Sequence, residues 1–91
     1  MDLRKPIARE SISPNLGTYL NPVPAATGAM VTVLNGSIRW TTDGSLPTST
    51  TGTLMKCGDV ELFENNLLKL RFTSVNGTTV AALLDVSYFG P

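Results

Sequence analysis

The sequence predicts an all-β chain: a small antiparallel β-sandwich or jelly-roll-like domain preceded by an extended arm. Three observations point there. β-Branched and aliphatic residues gather in runs of roughly four to eight. Gly, Pro and Asn clusters separate those runs at close, regular intervals. No segment of useful length carries an amphipathic helical period. Such a pattern suits a sandwich or barrel.

The first fifteen residues differ from the rest. They hold charges and two prolines, Pro6 and Pro14, and few apolar residues. Residues 1–15 read as an extended arm, either a disordered tail or a segment that orders on a neighbouring subunit. Arg4, Lys5, Ile7, Arg9 and Ile12 are its candidate contact residues, with the two isoleucines as anchors. The domain proper is expected over 16–91.

Leu16–Leu20 makes a short strand, and the breaker cluster Asn21–Gly28 a loop. Ala29–Leu34 is β-branched and reads as a strand. Asn35-Gly36 is a strong hairpin signal, with Ser37–Thr42 returning as the partner strand. A long polar loop runs to Gly52, and Thr53–Met55 pairs locally. Cys57–Asp59 is a turn, and Val60–Phe63 a strand broken by Glu64–Asn66. Leu67–Thr73 alternates and reads as a strand. Asn76-Gly77 is a second hairpin signal, and Thr78–Phe89 closes the domain.

Alternation then assigns the core. Val31, Val33, Ile38, Trp40, Val60, Leu62, Leu68, Leu70, Phe72, Leu84, Val86 and Tyr88 should face inward. Arg39, Lys69 and Arg71 fall on the opposite face.

Composition narrows the function. Ninety-one residues suffice for one domain with a thin core. Cys57 is the single cysteine and there is no histidine, so disulfide, structural zinc and His-based catalysis are all excluded. Seven basic residues balance seven acidic ones, which lacks the electrostatic footprint of a nucleic-acid binder. No apolar run is long enough for a membrane helix, and the first residues have no signal-peptide h-region. Synthesis in the cytosol is expected. Asp59 and Glu61 fall near each other, but nothing in the pattern sets two carboxylates around a substrate. No enzyme activity, cofactor, metal or small-molecule substrate is expected. Association with partners is the expected further source of stability.

The most structured signal is Thr41–Thr48. Asp43 can accept amide hydrogen bonds two residues on, Gly44 can take positive φ, and Pro47 stiffens the exit. These three are expected to fix a loop; a ligand-binding role is the alternative. Trp40 reads as core, or alternatively as a stacking platform for a sugar.

The runs Ile38–Thr48, Thr51–Met55, Gly58–Leu62, Leu70–Phe72 and Asp85–Phe89 together resemble small β-sandwich proteins encoded among the structural genes of tailed bacteriophages. That resemblance spans about residues 29–90. It implies a virion structural protein, most simply a capsid decoration (cement) protein on the outer capsid surface, made in the host cytoplasm. Its expected partners are the major capsid protein and further copies of itself, as a dimer or trimer. A head-tail, tail or fibre-associated role is also compatible. Ile38–Thr48 is further similar to chitobiase C-terminal-type β-sandwich modules, which would imply carbohydrate recognition. Leu54-Met55-Lys56-Cys57-Gly58 departs from that second pattern.

Overall fold

The computed structural model describes residues 5–14, 17–48, 50–64, 67–75 and 82–90. Eight strands follow in order: β1 (Lys5–Ile12), β2 (Thr18–Tyr19), β3 (Gly28–Asn35), β4 (Ser37–Thr41), β5 (Thr53–Lys56), β6 (Val60–Glu64), β7 (Arg71–Ser74) and β8 (Leu83–Gly90). They form two four-stranded sheets, ordered β1-β8-β3-β6 and β2-β7-β4-β5. Every neighbouring pair is antiparallel.

The pairing has a simple rule. β1 joins β8, β2 joins β7, β3 joins β6, and β4 joins β5. The chain is thus one long folded ribbon whose successive strand pairs alternate between sheets, and the β8–β3 and β7–β4 ladders weld each sheet together. This is the eight-stranded jelly roll. Among the described strands only β4 and β5 are consecutive within one sheet.

The topology corrects the hairpin reading of Asn35-Gly36. β3 and β4 lie in opposite sheets, so this step is a corner between layers. Gly36 takes φ +73°, and a Cβ there would lie 3.1 Å from the Ala82 Cα. The local signal is right about a sharp reversal but carries no information on which strands it joins. Asn76-Gly77 lies outside the described residues. The strands it separates, β7 and β8, also belong to opposite sheets.

The arm is corrected as well. Lys5–Ile12 is extended, but it lies in the sandwich as the edge strand beside β8. The reason is in its own sequence. Ala8 and Ile12 occur at even spacing and turn inward, where Ile12 is buried and Ala8 packs on the core. β8 would otherwise expose its backbone edge.

Between the sheets lie Val31, Val33, Ile38, Leu70, Phe72, Leu84, Val86 and Tyr88, as alternation predicts, with Ala29, Met55, Phe63, Leu67 and Ala82. Three expected core residues are outside. Val60 and Leu62 are 53% and 50% exposed. β6 pairs Ala29 with Phe63 and Val31 with Glu61, so the inward parity falls on Phe63 and Glu61. Leu68 is 75% exposed because Leu67–Lys69 is a 3₁₀ turn rather than the start of a strand, and its neighbour Leu67 takes the inward position.

Gly36→Ala is expected to cost about 1–3 kcal/mol, since an L side chain there meets both an unfavourable φ and the Ala82 backbone. Urea unfolding followed by Trp40 fluorescence measures it.

Candidate functional site

The corner between β4 and β5 is tied by its own side chains. The Asp43 carboxylate accepts from the Ser45 amide at 3.0 Å and the Ser45 hydroxyl at 2.6 Å. Those bonds hold its carboxyl below the usual aspartate range. Gly44 takes φ +84°, as such a turn requires. Thr41 Oγ1 donates to the Ser45 carbonyl at 2.6 Å. Farther on, the Thr51 amide donates to Thr48 Oγ1 at 3.0 Å while the Thr48 amide donates to the Thr51 carbonyl at 3.0 Å.

β7 lashes this corner to the body. Arg71 donates from Nε to the Gly17 carbonyl at 3.1 Å and from a terminal nitrogen to the Gly44 carbonyl at 3.3 Å. Its guanidinium also lies 4.8 Å from the Tyr19 ring centre. Thr73 is buried and sits between two segments. Its Oγ1 accepts the Gly17 amide at 2.9 Å and donates to the Pro47 carbonyl at 2.8 Å. Pro47 itself is fully buried. Asp43, Gly44 and Pro47 are therefore structural parts of one corner. Arg71, expected only on an outer face, holds three segments together; no sequence period signals that role.

Trp40 is half-buried and packed against the core. Its ring meets Phe63 edge-on, with centroids 4.8 Å apart and planes at 89°. Phe63 meets Phe72 the same way at 6.1 Å. The indole Nε1 is buried without a hydrogen-bond partner.

The five contact residues proposed from sequence are not gathered into one patch. Arg4 lies outside the described residues. Lys5 is exposed, and Ile7 is exposed beside the β1 bulge. One terminal nitrogen of Arg9 donates to both carboxylate oxygens of Asp85 on β8, at 3.0 and 2.9 Å. Ile12 is core and unavailable to a partner. Glu10 faces Tyr88, whose hydroxyl donates to it, and the Asn21 amide donates to Glu10 at 3.1 Å. Burial, together with the Glu10 carboxylate, pushes the Tyr88 hydroxyl well above the usual tyrosine range.

A surface that sequence reasoning misplaced lies on the outer face of β3 and β6. Met30 pairs with Leu62 and Thr32 with Val60 across the ladder. Met30, Val60 and Leu62, with Leu34 at the end of β3, are 37–53% exposed. The Cys57 thiol, exposed in the β5–β6 turn, lies 3.4 Å from the Leu34 carbonyl. Glu61, between Val60 and Leu62, has the opposite parity, across from Val31. The signal for this face was present in the alternation of β6, but the parity was read one residue out. A separate open groove of about 490 Å³ lies between the β2–β3 loop and the 3₁₀ turn, lined by Pro22, Val23, Pro24, Ala26 and Leu68 among others.

Among the described residues no group of three His, Cys, Asp or Glu could hold a metal ion. Among the described residues no helix is long and apolar enough to cross a membrane. No family model, curated protein or solved structure matches the chain.

Two expectations follow. Thr73→Val is expected to destabilise by about 2–4 kcal/mol, because it leaves a buried amide and a buried carbonyl unpaired; Thr73→Ser should recover most of that in urea titrations. For Tyr88, the folded chain holds the proton more tightly than the unfolded one. Its contribution is complete below about pH 10 and is lost as pH rises beyond that. The urea midpoint should fall above pH 10 in the parent, and Tyr88→Phe should flatten that fall.

Proposed function

We propose that this chain is a structural protein of a tailed-bacteriophage virion, of the capsid decoration type, seated on the outer shell and bridging major capsid subunits. The observation that carries the reading is the β4–β5 corner. Of the runs that resemble phage structural proteins, Ile38–Thr48 and Thr51–Met55 build this corner and its flanking strands, while Gly58–Leu62, Leu70–Phe72 and Asp85–Phe89 fall at or beside β6, β7 and β8. Asp43 caps the turn, Gly44 supplies positive φ, and Pro47 is buried under Thr73. A likeness that includes the residues fixing this corner supports a shared jelly-roll architecture. From that architecture the virion role is inferred by resemblance.

The carbohydrate reading is disfavoured by Trp40, whose ring is packed against Phe63. The exposed apolar face on β3 and β6 favours an interaction protein over a free-standing one.

Quantitative mass spectrometry of purified particles tests the proposal. The chain should be present at a copy number comparable to that of the major capsid protein. A handful of copies per particle would move it to the neck or tail, and its absence from particles would overturn the virion reading.

A further inference from the structure

A sheet that does not close into a barrel ends in strands whose outer backbone groups have no ladder partner. Among the described strands these ends are β1 and β6 in one sheet and β2 and β5 in the other. Three of them resist further pairing. β1 carries Pro6 and a bulge between Pro6 and Ala8. β2 has two residues, and β5 has four and ends at Lys56. Proline, bulges, shortness and lysine are devices that stop strand addition.

β6 has none of these. Val60–Glu64 is five residues long, holds no proline or lysine, and pairs with β3 without a register shift. Its hydrogen bonds fix which way its backbone faces. The Val33 amide donates to the Asp59 carbonyl at 3.0 Å. Bonded pairs alternate along an antiparallel ladder, so Val31–Glu61 and Ala29–Phe63 are bonded pairs as well. The N–H and C=O groups of Val60 and Leu62 therefore point out of the sheet, and no described residue receives them. The side chains of the same two residues are 53% and 50% exposed.

The strand is also complementary to itself. Let two copies pair antiparallel about a two-fold axis at Leu62. The two Leu62 residues then exchange both backbone bonds. Val60 faces Glu64 of the second copy, and Glu61 faces its Phe63, so no like charges stand opposite. An axis at Glu61 would set two carboxylates against each other, and an axis at Val60 would set Asp59 against Glu61. Glu61 still opposes the join, because its carboxylate comes to lie beside a phenyl ring and loses water there.

We propose that β6 is a pairing edge for a second copy of this chain, joined β6 to β6 in antiparallel register about Leu62, so that two four-stranded sheets become one. Main-chain bonds give such a join its affinity, and the facing leucines fix its register. The inference does not rest on the virion reading.

Sedimentation of the purified full chain over a range of concentrations tests it. The parent should pass from monomer to dimer as concentration rises. Leu62→Pro should weaken the dimer at least tenfold and still fold, because the Leu62 N–H makes no bond to β3. Leu62→Lys, which sets two ammonium groups at the axis, should do the same and serves if thermal melts show the proline variant unfolded. Glu61→Gln should tighten the dimer several-fold, and Leu54→Lys on β5 should dimerise like the parent. Cross-linking reads the register. In a Cys57→Ser chain, Leu62→Cys should form a disulfide-linked dimer at least tenfold faster than Val60→Cys. Its two copies lie about 5.5 Å apart between Cα atoms, whereas the Val60 positions lie roughly 14 Å apart. A chain that stays monomeric at every concentration, or a dimer that survives both Leu62 variants, would overturn the proposal. Faster linking of Val60→Cys would overturn the register, and a dimer dissolved by Leu54→Lys alone would move the join to β5.

Discussion

The structure depends on one pairing between the two ends of the chain. β8 runs between β1 and β3, and Leu84, Val86 and Tyr88 on it are fully buried. β1 has no neighbour other than β8 in its sheet, and β3 is bridged to β1 only through it. The first sheet is therefore not assembled until the last strand arrives. The polar contacts follow the same geometry, for Arg9–Asp85 and Glu10–Tyr88 both join the opening strand to the closing one. A network of such non-local contacts makes folding slow and cooperative, because loop closure comes before most of the burial that rewards it.

The second sheet is shorter and leans on side-chain lashings. β2 contributes only two residues, too little ladder to hold itself. Thr73 and Arg71 of β7 fasten Gly17, next to β2, and reach across to the β4–β5 corner at Pro47 and Gly44. Two side chains on one strand thus replace several missing backbone bonds. Satisfying buried polar groups this way gives a loop a single conformation, at the cost of making each partner hard to replace.

What the sequence made legible was whatever is local. Alternation in β3 and β8 named the residues that face the core, and the Asp43-Gly44 turn was readable from side-chain chemistry alone. What it hid was whatever depends on where a strand goes next. Asn35-Gly36 reads the same whether it joins neighbours in one sheet or crosses between two. Val60 and Leu62 alternate as well as Glu61 and Phe63 do, and only the pairing with Ala29 and Val31 decides which set is inside. Phe63 wins because its ring fills the space between Trp40 and Phe72. The charged opening residues looked like a tail because an edge strand needs only one apolar face, and Ala8 and Ile12 supply it with few apolar letters.

That same parity choice explains how a stable domain comes to display an apolar face. Turning Phe63 inward gains an aromatic cluster and leaves Val60 and Leu62 outside, where Met30 and Leu34 join them. Fully burying side chains of this kind is worth about 1.5–3 kcal/mol each, so covering four that are already half-covered returns roughly 3–6 kcal/mol. Bringing two molecules together costs on the order of 4–15 kcal/mol in lost freedom. One such contact therefore lies close to break-even. The face becomes effective when many contacts are made on one surface. A patch of this size can orient the molecule on a partner but is too small to hold it alone.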